Sequence, residues 1–344
     1  MIGALALLLL AFVLMCAGQS WLPRARWPQR APRLAIAVWQ TLAGSVIASL
    51  ALACLALTIP GLSAASTLGE VLRACVVEIS RQYSTPGGAL MSTLVLVALV
   101  VLMGRVSVAL WRQRRESARS RADHVARLSI VSEQSDDGVF VLDHPSALVY
   151  CVPGRGHGHP GDVVVMTRTA REALTDEQLE LVLSHERAHL RSRHGKLVER
   201  SRALASALPF LPFFRVAHEQ IAELAEMHAD DAVEPDHRRA LADALYRLSV
   251  ANRGGTLPSG TLGAAGPSVV VRARRLLLPR EPLKHTVVAV IAAMIVGIAT
   301  APLALAFLPA GTGISHDCCV VGVEQTAAEE IPAPVRIAGL RVRL

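Results

Sequence analysis

Two histidines four residues apart, with a glutamate directly after the first, make His185-Glu186-Arg187-Ala188-His189 the stretch of this sequence best suited to chemistry. Residues i and i+4 stack on one face of an α-helix, so both imidazoles can grip one tetrahedral Zn²⁺. Glu186 then projects about a third of a turn away, toward a water in the open fourth position. A third ligand is offered downstream. Ile221 to Asp230 is helical by propensity and places Glu226 and Asp230 on one face at i and i+4. Glu226 can complete a set of two histidines and one glutamate around one zinc per chain. Asp230, one turn further on, is placed to accept a hydrogen bond from the distal nitrogen of a ligating histidine and fix its tautomer. The layout with a third histidine after a His-x-x-Gly turn does not apply, because His189 is followed by Leu190-Arg191-Ser192 and the next histidine is His194. His157 and His159 lie in the Gly-rich run Gly154 to Pro160 and read as solvent-exposed loop residues.

The elements that must position these groups are also readable. Thr175-Asp176-Glu177-Gln178 has the form of a capping box, with acids in the first turn, and predicts a helix start. Leu179, Val182, Leu183, Glu186 and Leu190 then recur at helical spacing. The two histidines fall on the flank of that stripe and should be partly buried, while Glu180, Arg187, Arg191 and Arg193 face water. Upstream, Val139–Asp143, Leu148–Val152 and Asp162–Thr167 predict a small antiparallel sheet, of which Val163 to Met166 could be the edge, either receiving an extended substrate or serving as a plain structural strand. Leu204 to Phe214 contains Pro209 and Pro212, is too broken to span a bilayer, and is expected to graze the membrane. A helix is expected from about His237 to Ala251, then a flexible connector from Gly254 to Ser268.

Hydrophobic residues make up 52% of the 344 residues and aromatics only 4%, and the apolar residues gather in blocks separated by arginine-rich stretches. This is the composition of an integral membrane protein with one polar domain. Residues 1–17, 35–58, 88–110 and 285–308 approach the ~20 residues needed to cross a hydrocarbon core. The first block lacks a basic leader and a small residue before Cys16, so it reads as an uncleaved anchor. Arg24, Arg26, Arg30 and Arg33 lie in the 18–34 loop, and Arg112, Arg114, Arg115, Arg119 and Arg121 follow the third block. Arg272, Arg274, Arg275, Arg280 and Lys284 precede the fourth, whereas the 59–87 loop is balanced. The positive-inside rule therefore puts residues 18–34 and the polar domain, 111–284, in the cytoplasm, with both termini, the 59–87 loop and the 309–344 tail outside. Arg105 should snorkel to the inner interface. Net charge is +7, but the basic residues cluster at membrane boundaries, which suits anionic headgroups and not nucleic acid.

No Cys-x-x-Cys pair occurs among the six cysteines. Cys16 and Cys54 read as apolar fillers within spans. Cys75, Cys318 and Cys319 fall on the outer side, where Cys75 can pair with one of the other two.

Leu174 to Arg193, Glu226-x-x-Ala229-Asp230 and the arrangement of spans resemble the membrane-embedded bacterial zinc peptidases of the gluzincin type. The resemblance is to the β-lactam-sensor/antirepressor metallopeptidases in particular and, more distantly, to the HtpX-like and CAAX-protease-like enzymes. It covers about 85 to 305 and departs at the C-terminus, where antirepressors often carry a penicillin-binding domain and this chain has only the 309–344 tail. It implies four transmembrane helices with an α+β zincin-like domain, in a bacterial plasma membrane. The zinc ligands would be His185, His189 and Glu226, with Glu186 as general base. The expected activity is cleavage of a cytoplasmic or membrane protein, in signalling through a transcriptional repressor or self-cleavage. Membrane-protein quality control is the rival enzymatic reading. A non-catalytic receptor with structural zinc is a third, against which stands the lack of a fourth ligand, Cys151 being the only cysteine nearby. His228, His194 or an arginine would stabilise the oxyanion.

Overall fold

The computed structural model describes residues 2–58, 86–131, 133–134, 139–152, 162–252, 267–279 and 281–307. His157, His159, Cys75, Cys318 and Cys319 lie outside the described residues. The chain is mostly helical, with one small sheet. Four helices are long and apolar enough to cross a membrane, which suggests a multi-pass membrane protein: α1 (Ile2–Ser20), α3 (Pro32–Thr58), α4 (Pro86–Val131) and α11 (His285–Phe307). A single turn, α2 (Trp27–Arg30), lies between the first two.

The spans begin and end close to the apolar blocks, with one difference. The helix of the third block does not stop near residue 110, where the apolar run ends. This helix, 46 residues in all, runs on past that point to Val131, because Arg112 to Arg127 contains no proline or glycine and is rich in good helix formers. Arg121 on this extension pairs with Glu199 at 2.6 Å. Arg105 donates from Nε to the Ala207 carbonyl at 2.8 Å, so it supplies a cation to the last turn of a neighbouring helix instead of only reaching for the interface.

Between α4 and α11 lie β1 (Glu133–Gln134), β2 (Val139–Leu142), β3 (Val149–Val152), β4 (Val163–Thr167), α5 (Arg168–Ala173), α6 (Asp176–Arg191), α7 (His194–Ala207), α8 (Pro212–Asp230), α9 (Arg238–Ala251) and α10 (Pro267–Leu277). The sheet order is β1-β2-β4-β3. β4 is antiparallel to β3 and parallel to β2, so the sheet is mixed and not purely antiparallel. This also corrects the expected edge. Val163 to Met166 belong to an interior strand whose five residues are all buried, in keeping with an unbroken apolar run, and the terminal strands are β1 and β3.

Two cores position the site. One joins α8 to the spans: Phe213 and Phe214 are buried against Trp39, with ring centroids of Phe213 and Trp39 5.9 Å apart. The stretch expected to graze the membrane thus ends in two rings packed on the span bundle. The other core packs α6, α9 and α10 with the sheet, through Val182, Leu241, Leu245 and Leu276. Arg275 joins the parts: its Nε donates to the Gln29 carbonyl at 2.8 Å and its Nη2 to both oxygens of Asp231 at 2.8 Å. The arginine-bearing linker between the first two spans therefore lies on the same side as α6, α8 and α10.

Candidate active site

The capping box at the head of α6 forms as the sequence predicts. Thr175 Oγ1 accepts from the Gln178 amide, and the Gln178 side chain accepts from the Thr175 amide. Gln178 also donates to Asp243 at 2.6 Å, which ties α6 to α9. Three turns later α6 presents His185, Glu186 and His189. All three are buried, more deeply than a stripe flank suggested, while Glu180, Arg187, Arg191 and Arg193 are exposed.

α8 crosses this face and brings Glu226 to the histidines. One ligand atom from each of His185, His189 and Glu226 lies within 4.8 Å of the others. The two Nε2 atoms are 3.1 Å apart, and each is 3.6 Å from a Glu226 oxygen. These separations are near those expected between ligands sharing one tetrahedral ion with bonds of about 2.0–2.2 Å. Glu226 Oε1 is buried without a hydrogen-bond partner, an arrangement that suits a cation. Two imidazoles and a carboxylate form a donor set that fits zinc.

Behind the ligands the two histidines differ. His185 Nδ1 lies 3.1 Å from Asp230 Oδ1. Arg272, from α10, reaches the same carboxylate with two bonds of 2.7 and 2.9 Å, lies 2.7 Å from Glu226 Oε2, and contacts His185 Nε2 at 3.3 Å. His189 is backed by other histidines instead. Its Nδ1 is 3.0 Å from His194 Nδ1, and His194 Nε2 is 2.8 Å from His228 Nδ1.

Burial and these partners set the charges. Burial pushes the Glu186 carboxyl up to about 7 against the pull of His185. Burial opposes the charge of Glu226, but Arg272 and the histidines prevail and bring it down to about 2. Asp230 is likewise held well below the usual carboxylate range, by Arg272 and His185 against the cost of burial. Burial disfavours the His185 imidazolium, yet Asp230 and Glu226 outweigh it and hold it up at about 9 in the metal-free chain. His189 and His194 are pulled down by burial to about 4 and 3, in His189 against the pull of Glu226. The Cys151 thiol of β3 is a neighbour of Glu186, and burial together with that carboxylate raises the thiol strongly.

Arg272 overturns one sequence expectation. It is not a membrane-boundary cation but is 2% exposed beside Glu226 and His185. The signal was its place on α10: Val269, Arg272 and Leu276 share one helical face, and all three are buried. No pattern pointed to Cys151. His194 and His228, considered for the oxyanion, form the row behind His189.

Residues 113–230 match the model of peptidase family M48. The matched region runs from the extension of α4 to Asp230, contains His185, Glu186, His189 and Glu226, and stops short of Arg272. No curated protein and no solved structure matches the chain. The match supports a metallopeptidase function, and such peptidases depend on a metal. His185, His189 and Glu226 form a buried group able to bind one.

Proposed function

We propose that the chain is an integral-membrane zinc endopeptidase. In this reading His185, His189 and Glu226 hold the ion, Glu186 is the general base, and Asp230 fixes the His185 tautomer. The observation that carries it is the convergence of the three donor atoms within 4.8 Å, with a buried carboxylate on the next residue of the same helix. When bound, zinc polarises a carbonyl and lowers the pKa of water from about 16 to ~7. The protein's own part is proton transfer. Glu186 takes the proton of the attacking water and delivers it to the departing amine, and its carboxyl, raised to about 7 by burial, suits both halves of that exchange. Asp230 Oδ1, 3.1 Å from His185 Nδ1, would accept its proton and leave Nε2 free to ligate, and Arg272 keeps Asp230 ionised.

β3, the terminal strand that carries Cys151, a neighbour of Glu186, is the edge to which an extended substrate would add as another strand. This replaces the role first given to Val163–Met166. The substrate is proposed to be a cytoplasmic or membrane protein, reached from the inner side of a bacterial plasma membrane. The arginines of the 18–34 linker, on the same side as the site, support that orientation. The resemblance to antirepressor peptidases supports a signalling role, through cleavage of a repressor or of the chain itself.

The test is Glu186→Gln in detergent-purified full-length protein. Zinc content should be unchanged, and cleavage of casein or of the chain itself should fall by at least about 10²-fold. Full activity in that variant would remove Glu186 as the base. Metal-free wild-type protein after purification with zinc present would remove the reading as a whole. The same variant, used to trap bound proteins in cells, would identify the substrate and separate repressor cleavage from quality control.

A further inference from the structure

His189 would ligate through Nε2, because that atom faces His185 Nε2 at 3.1 Å while Nδ1 faces away toward His194. A neutral imidazole carries one proton. If Nε2 is to hold an ion, the proton of His189 must sit on Nδ1 and be donated to His194 Nδ1. His194 must then carry its own proton on Nε2, where His228 Nδ1 waits 2.8 Å away. The opposite polarity, with His228 donating to His194 and His194 to His189, would put a proton on His189 Nε2 and block ligation. His194 is 1% exposed, so water cannot substitute for either contact.

The chain is shaped to make this row. Arg193 adopts a left-handed backbone, φ 53°, the sole non-glycine residue to do so among the described residues. That turn ends α6 and starts α7 so that His194 folds back under His189. His228 comes from α8, two residues after Glu226, on the same helix that supplies the third ligand.

Resting on the zinc reading above, we propose that His194 is a positioning residue: its Nδ1 accepts from His189 and its Nε2 donates to His228, and this fixed direction of hydrogen bonds holds His189 in the tautomer that binds metal. The carboxylate that backs His185 can only accept, so it needs no further partner to set direction. A histidine can do either, so the same direction holds here only while His228 Nδ1 accepts, with its own proton on Nε2.

The experiment measures zinc dissociation constants by chelator competition on full-length, detergent-purified wild type and three variants. It is joined by ¹⁵N-histidine NMR of the zinc-loaded wild type. His194→Phe removes both contacts and should weaken zinc binding by about 10- to 100-fold. His194→Asn keeps an acceptor oxygen toward His189 and should recover affinity to within about threefold of wild type. His228→Phe leaves His194 without an acceptor and should fall between the two. The NMR spectrum should show His189 and His194 in opposite tautomers, protonated on Nδ1 and Nε2. Equal zinc affinity in all four proteins would overturn the proposal. So would equal weakening in the Phe and Asn variants at position 194, which would mark the contact as packing alone. If His194→Phe does not fold, the wild-type spectrum and His228→Phe decide. A wild type that binds no zinc defeats the parent reading, whereas tight wild-type binding with a flat variant series defeats only the positioning role.

Discussion

The two ends of α8 are held by opposite kinds of physics. At its N-terminal end Phe213, Phe214, Ala217 and Ile221 are buried in an apolar core with Trp39 of α3 and Leu14 of α1. At its C-terminal end Glu226 and Asp230 are buried against Arg272, His185 and His189. Apolar contacts are non-directional, so loss at the first end scales with the volume or area changed. Charges deep in a protein are tolerated only in company, so loss at the second end follows from whichever partner is left alone. The site is therefore built where a missing charge is most costly, and an incoming divalent cation would enter a cluster that already holds opposite signs in contact.

The largest effect expected is at the ionic end. Arg272→Met keeps much of the side-chain length but leaves Asp230 and Glu226 without their guanidinium. Breaking a buried pair in this way costs about 3–5 kcal/mol. The unfolding midpoint of the metal-free, detergent-purified protein should fall sharply. Zinc should restore part of it, because the cation would compensate Glu226 directly while Asp230 keeps only His185. An equal fall with and without zinc would show that the loss does not come from unpaired carboxylates at the metal group.

A smaller effect is expected at the apolar end. Gly18 of α1 is buried where an added Cβ would lie 2.5 Å from Phe213 Cε2. Phe213 cannot simply swing aside, since its ring is 5.9 Å from Trp39 and 5.2 Å from Phe214 by centroids. Gly18→Ala should thus overpack the junction of α8 with the spans and cost about 1–3 kcal/mol. Adding zinc should move this variant's midpoint by as much as it moves that of wild type, unlike Arg272→Met. A zinc-dependent difference would mean that the two ends of α8 are coupled.

The same contrast explains what was legible in the sequence. Spans, the α6 cap and the His185-Glu186-His189 group are local patterns, each specified within twenty or so residues, and they recur in the structure close to their sequence limits. Sheet order is not local. Placing the Val163 run between β2 and β3 depends on a parallel pairing across more than twenty residues, which no alternation within the run encodes. Arg272 was misread because a cation ahead of an apolar span looks the same whether it meets lipid headgroups or buried carboxylates. Only the position of Val269 and Leu276 on the same face distinguished them. The histidine row was hidden for a similar reason: His194 follows a backbone reversal at Arg193, and His228 comes from another helix.

The smallest expected effect tests whether α6 draws its position from its own cap or from the partners of its final turns. Thr175 Oγ1 satisfies one amide that the first turn of α6 would otherwise leave without an intrahelical partner, and Gln178 returns the bond. Thr175→Ala removes this cap about ten residues before His185 and should cost about 1 kcal/mol. The side chain of Gln178 would still be held by Asp243, and Val182 by the core it shares with α9, so the last turns of the helix stay in register. The unfolding midpoint should therefore drop slightly while zinc affinity stays at the wild-type value. A loss of affinity in step with the loss of stability would mean that the histidines take their geometry from the helix start, and that neither the ionic cluster at the end of α8 nor the row behind His189 suffices to place them.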